Sequence, residues 1–335
     1  MQVKDGYTFK LNKSVLRKKI FFTNRYGIEL AGDIYFPNNS GNSKLAAIAI
    51  SGPFGAVKEQ ASGLYANELA KRGFIALAFD PSYTGESGGS PRNLASPEIN
   101  TEDFSAAVDY LGMQPEVNPY KIGVLGICGF GGMALNATAS DKRIKAVVTT
   151  SMYDMTRIMG SGMNDSFSKA DRSAILTYLS NKRWQDLENG HNSYAGHGMS
   201  VSKNGIVQQP SQILPDQISA DDDPVTKEFF DYYRTDRGFA KNSVNSTSAF
   251  VSTMPISFMN MPILSYVDEI SPRPLLLIAG EEAHSRYFSE DIYDKAIDPK
   301  ELVIIPGANH VDLYDNLDKI PFSKIQAFYE KNLTK

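Results

Sequence analysis

The sequence predicts a single α/β domain, with a mostly parallel central sheet flanked by helices. Three observations carry this expectation. Short, continuously apolar runs such as LAAIAIS, FIALAFD and RPLLLIAG have the length and all-round hydrophobicity of strands covered on both faces. Stretches of helical spacing, among them KEQASGLYANELAKRG and FSKIQAFYEKNL, lie between and after them. Strand and helix alternate toward both ends of the chain, which is the rhythm of βαβ units.

Taken in order, KKIFFTNRY and IELAGDIYFP read as two strands joined by a turn at Tyr26-Gly27. LAAIAIS follows, then the helix that begins near Lys58 and stops at Gly73. FIALAFD is the next strand. NTEDFSAAVDYLGM is the next helix, with Asn100 or Thr101 placed to cap it. KIGVLGI, FGGMALNATASDK and IKAVVTTS continue the alternation, and RPLLLIAG, SEDIYDKAI, KELVIIPG and FSKIQAFYEKNL close it. From Ser151 to about Ser271 the rhythm stops, and the chain is rich in Asn, Ser, Met and aromatics. An irregular stretch of that length inside a compact domain reads as a lid. The expectation is therefore one domain over 1–335, with a largely helical cap insertion at 152–270 between strands 6 and 7.

Of the 335 residues, 42% are hydrophobic and 21% charged, a globular balance that excludes collagen, coiled coil and disorder. A formal net charge of −4, with no dense Lys/Arg run, gives no long-range attraction to nucleic acid. The single cysteine excludes an internal disulfide and suits a reducing compartment, so a cytoplasmic location is expected. No run reaches about 18 apolar residues, and the start lacks an apolar core of signal-peptide length, so no membrane partner is expected. A small-molecule substrate and a homodimer are the expected partners. No metal motif is present and no cofactor is expected.

The segment that decides the chemistry is GVLGICGFGG, residues 123–132. A buried strand runs into a glycine-dense turn and then a helix, the arrangement that presents a nucleophile at a helix N-terminus. Counted from the strand, Gly126-Ile127-Cys128 fills the first half of G-x-nucleophile-x-G. Counted back from Gly131-Gly132, the slot falls on Phe130 or Gly129, and neither can attack. The ordinary alternative is that Cys128 is a small buried residue in a tight turn. A thiol nucleophile needs a base from another element. Among four histidines, His310 stands in the loop after strand KELVII, in PGANHVDLYD. The orienting carboxylate is Glu282, with Glu281 and Asp154 as alternatives. For the oxyanion hole, the loop SGPFGAVKEQ offers the N–H of Phe54, since Pro53 has none, and Gly129 offers a second. Tyr83, in DPSYTGESGG, is a further hydroxyl expected nearby. Trp184, Phe229, Phe230, Tyr232 and Tyr233 are expected to wall an apolar pocket.

DPSYTGESGG, GVLGICGFGG, SPRPLLLIAGEEAHSRYFSED and PGANHVDLYD together resemble the α/β-hydrolase superfamily, in its bacterial dienelactone-hydrolase-like and S15-peptidase-like branch. The resemblance runs from about residue 18 to 330 and implies the α/β-hydrolase fold. It places the family's histidine on His310 and its nucleophile on Cys128. Relatives with a serine in this turn would align it with Phe130 instead. Ala283 occupies the commonest position of the family's aspartate. Two functions follow as expectations. The first is a hydrolase or acyltransferase, esterase-like, acting on a small ester, lactone or thioester through Cys128, His310 and Glu282. The second is an inactive member that binds a small apolar ligand, with Phe130 in the nucleophile's place.

Overall fold

The computed structural model describes residues 6–38, 43–244 and 248–333. Eight strands form the central sheet: β1 (Val15–Thr23), β2 (Glu29–Pro37), β3 (Leu45–Ser51), β4 (Ile75–Phe79), β5 (Val117–Ile127), β6 (Ile144–Thr150), β7 (Leu275–Gly280) and β8 (Lys300–Ile305). Their spatial order is β1-β2-β4-β3-β5-β6-β7-β8. β1 pairs antiparallel with β2, and β2 antiparallel with β4. Every later pairing is parallel. The burial follows from that topology. β4 and β7 are buried at every residue, as the continuous apolar runs require, while β1 at the edge is mostly exposed.

Turn chemistry sets the joints. The β1–β2 connection closes on Asn24, whose Oδ1 accepts the N–H of Tyr26 and of Ile28, each at 3.0 Å. Helix α1 (Ala61–Lys71) starts later than the expected Lys58. Lys58 is drawn instead into a buried ion cluster: its Nζ reaches Asp80 at 3.1 Å and Glu59 at 2.6 Å, and it also pairs with Glu86. Asp80 Oδ1 accepts the Lys58 backbone N–H at 2.7 Å, and Oδ2 accepts that of Glu86 at 2.9 Å. Burial works against the Lys58 charge, but Asp80 and Glu59 hold its ammonium above the ordinary lysine range. One carboxylate thus ties the loop after β3 to the loop after β4. Helix α2 (Pro97–Gly112) is capped by Ser96, which accepts from Ile99 N–H, rather than by Asn100 or Thr101. Those two lie inside the helix, where Asn100 donates to Asp103 and Thr101 to Pro97 O.

Helix α3 (Gly129–Ser140) leaves the end of β5. Between β6 and β7 the chain departs from the sheet. It carries α4 (Met155–Ser161), α5 (Lys169–Asn189), α6 (Pro224–Tyr233) and α7 (Pro255–Asn260), with short ladders pairing 194–195 with 250–251 and 200–201 with 207–208. Helices α8 (Arg286–Lys295), α9 (Asp312–Asp315) and α10 (Phe322–Leu333) complete the chain. Among the described residues, no helix is long and apolar enough to cross a membrane.

Removing the cation from the Lys58 cluster strands a buried carboxylate. Lys58→Ala is expected to lower the unfolding free energy by about 3–5 kcal/mol, read by urea denaturation. A change under about 1 kcal/mol would show that water replaces the ammonium.

Candidate active site

Cys128 stands between β5 and α3 with φ 56° and ψ −128°, a conformation that L residues rarely adopt. The surroundings enforce it. A Cβ on Gly126 would lie 2.2 Å from Phe130 O, and one on Gly52 would lie 2.2 Å from Ile127 O. These glycines let the turn close on itself and let the loop after β3 press against it. The thiol emerges into a cavity of 470 Å³, lined by Cys128 with Phe54, Met155, Met159, Met163, Met199 and Phe229 among others. No Asp, Glu, Lys or Arg is among the described residues that line it.

Phe130 does not fill the nucleophile's place. It is buried, its ring 6.3 Å from that of Phe54 and 6.2 Å from that of Phe104, and it is not part of the cavity wall. The backbone N–H groups of Phe54 and Gly129 lie near enough to the Cys128 sulfur to favour its charged form. Burial pushes this thiol up, against the pull of those two amides and of Tyr314. At neutral pH Cys128 is therefore a protonated thiol.

His310 is fully buried in the loop between β8 and α9. Its Nδ1 is 2.6 Å from Ser285 Oγ, and its Nε2 is 2.8 Å from Tyr314 Oη. The Tyr314 hydroxyl also lies near enough to Cys128 to favour its thiolate, so it neighbours both thiol and imidazole. Burial, and next the neighbouring His284, push the His310 pKa well below the usual histidine value. The ring is neutral and able to take a proton.

Glu282, the carboxylate expected to orient His310, is exposed, and its backbone N–H donates to Ala308 O. The chain turns at Ala283, whose N–H reaches Gly280 O, and it is Ser285 that faces the ring. Glu281 accepts from Gly307 N–H at 2.9 Å, and Asp154 caps α4 by accepting from Thr156 and Arg157 N–H, so neither reaches the imidazole. Tyr83 is absorbed in the loop after β4, its N–H donating to Gly88 O, and does not line the cavity. Of the expected aromatic wall, Phe229 and Tyr233 line the cavity. Tyr232 packs behind it, 5.1 Å from Tyr314, and Phe230 lies outside. Trp184 is 70% exposed, because α5 buries only its Ile175, Leu179 and Asp186 face.

Sequence reasoning missed Ser285, Tyr314, Tyr153 and His284. Tyr314 follows His310 by four residues on the turn that begins α9, and that spacing was the only available signal. Tyr153 lines the cavity, and its hydroxyl pairs with Nε2 of His284. His197 also lines it, edge-on to Phe54 with ring centroids 5.5 Å apart, and burial pushes its pKa down to about 4.

Comparison with known proteins fits this architecture. Residues 26–238 match the family described as X-Pro dipeptidyl-peptidase (S15 family). The uncharacterized protein PA2218 of Pseudomonas aeruginosa is 57% identical over 97% of this chain and 83% of its own length. Its crystal structure superposes with a TM-score of 0.91, at 54% identity, covering 99% of this chain and 98% of that one. A thiohydrolase of Eupenicillium brefeldianum is 25% identical over 94% of each chain. The α/β hydrolase GrgF from Penicillium sp. sh18, a polyketide transferase by its curated name, has a TM-score of 0.74 at 22% identity, covering 96% of this chain and all of that one. With the sheet order, the turn at Cys128 and the matched 26–238 stretch in agreement, the chain belongs to the X-Pro dipeptidyl-peptidase (S15) family of α/β hydrolases.

Proposed function

We propose that the protein hydrolyses or transfers an apolar acyl group, presented as a thioester or ester, through a covalent acyl-Cys128 intermediate. The observation that carries this reading is the Cys128 sulfur itself. It opens on an uncharged, methionine-rich cavity with two backbone amides aimed at it. A peptide substrate with a free amino terminus would want a carboxylate, and none is among the described lining residues. An alkyl or polyketide-like chain needs only apolar wall. The 152–270 insertion serves as the cap that supplies most of that wall. The thiohydrolase and polyketide transferase names of two relatives point to the same class of acyl chemistry.

In the first half-reaction the Cys128 proton moves to the Tyr314 oxygen while the phenol's own proton passes to Nε2 of His310. The sulfur forms the C–S bond, and the carbonyl oxygen takes the developing charge between the Phe54 and Gly129 amides. The bond to the leaving group breaks with its electron pair on the departing oxygen or sulfur, which leaves as the anion, while His310 keeps the proton taken from Cys128. Ser285 accepts from Nδ1–H, the position a carboxylate holds in a conventional triad.

Turnover of p-nitrophenyl octanoate and of an octanoyl thioester is expected to exceed that of the acetyl analogues. Cys128→Ala is expected to lose about 10³-fold or more in kcat/KM. Equal turnover by Cys128→Ala and wild type would overturn the assignment. Because burial raises the thiol and keeps His310 neutral, inactivation by iodoacetamide should accelerate with pH through a midpoint above about 8.5, the value of a free thiol. A midpoint in the acid range would reveal a resting thiolate–imidazolium pair instead.

A further inference from the structure

The proton path that serves Cys128 is closed to the cavity. His310 is fully buried, both its ring nitrogens are engaged, and neither His310, Ser285 nor Tyr314 is part of the cavity wall. A water or alcohol entering to release an acyl group therefore cannot reach the Nε2 that activates the thiol. The hydroxyl-bearing residue that does share the wall with Cys128, and is tied to the nucleophile turn, is Tyr153. Its backbone N–H donates to Cys128 O at 2.9 Å, and its ring packs 5.1 Å from His310 and 5.2 Å from Phe288. Its hydroxyl is hydrogen-bonded to Nε2 of His284, a second imidazole whose ring centroid lies 4.9 Å from that of His310. The other ring nitrogen of His284, Nδ1, is buried with no hydrogen-bond partner among the described residues. The site thus holds two tyrosine–histidine pairs, Tyr314–His310 behind the sulfur and Tyr153–His284 at the cavity side.

We propose that Tyr153, backed by His284, is the acid–base group of the second half-reaction, taking the proton of the water or alcohol that attacks acyl-Cys128. This rests on the acyl-Cys128 reading above. Tyr153 is the catalytic residue, and His284 is a positioning residue that acts through it. The acceptor's oxygen lone pair forms the new C–O bond. Its proton passes to the Tyr153 oxygen as the phenol's own proton moves to Nε2 of His284. The C–S bond then breaks with its electron pair on sulfur. The proton on His310 returns through Tyr314 to that sulfur, and the proton on His284 leaves through Tyr153 to solvent, balancing the anion released in the first half-reaction, so the enzyme ends as it began. Burial pushes the His284 pKa down to about 4, which keeps the imidazole in its basic form at neutral pH.

The division of labour between the two pairs is separable in one experiment. The full chain is mixed with p-nitrophenyl octanoate, first-turnover p-nitrophenolate release is followed by stopped flow, and the Cys128 adduct is followed by intact mass. For Tyr153→Phe and His284→Gln, first-turnover release is expected within about threefold of wild type, while steady-state turnover falls about 100-fold, the range of a lost general base. An octanoyl adduct on Cys128 should accumulate. Hydroxylamine, which attacks without a base, should discharge it and restore turnover. A merely structural role would slow both phases together and leave hydroxylamine without effect. Loss of both phases by the same factor, or of neither, would overturn the role of Tyr153. Turnover retained with no Cys128 adduct in any variant would instead overturn the acyl-Cys128 reading. Should Tyr153→Phe melt well below wild type, the adduct and hydroxylamine readouts on His284→Gln decide the question.

Discussion

The site depends on one crowded bend of backbone. Cys128 is held at φ 56°, and such a conformation persists only when the surroundings leave no alternative. Here the surroundings are glycines. Gly126 lies under the Phe130 carbonyl and Gly52 against the Ile127 carbonyl, while a Cβ on Gly129 would lie 2.7 Å from Met155 Cγ. Three chain segments meet at distances that no side chain would allow. Their meeting brings the Phe54 and Gly129 amides to the sulfur. The Lys58–Asp80 cluster performs the same task at longer range, since Asp80 accepts from the backbone of both loops that border the turn.

A second close approach delivers the histidine. Gly280 ends β7, and a Cβ there would lie 2.2 Å from Ala308 O, so the loop carrying His310 lies directly against the strand end. Ser151 Oγ donates to His310 O at 2.9 Å, and Tyr65 Oη donates to Leu313 O at 2.7 Å. The loop between β8 and α9 is therefore held from β6, β7 and α1 together. With His310 enclosed, water cannot solvate an imidazolium, and this favours a neutral resting site over an ion pair.

The group that meets Nδ1 of His310 is a neutral serine hydroxyl. An ionised carboxylate beside a fully buried neutral ring would be a charge without a partner, and that is costly in low dielectric. Ser285 satisfies Nδ1 without adding a charge. Charge is kept to the margin: Glu228 on α6 is half-buried, and burial, then Asp312 and Glu282, raise its carboxyl to about 7. The cavity wall carries methionines and aromatics, with soft, adaptable surfaces, and no charged side chain among the described residues that line it.

The order of strands and helices, the glycine-dense turn and the place of Cys128 in it were legible in the chain alone, because each rests on local properties. Continuous apolar runs mark buried strands, and glycine marks close approach. His310 was legible for the same reason, as a polar residue just past a strand end. The partners of that histidine were not. Glu282 is adjacent in the chain to the residues that matter, yet it faces solvent, while Ser285 and Tyr314 converge on one ring from 25 residues before it and four after it. Trp184 shows the same limit, since helical spacing cannot say which face of α5 finds a neighbour. Pairing across the fold is a property of how β7, β8 and α9 pack, and packing is decided by contacts that no short window of sequence contains.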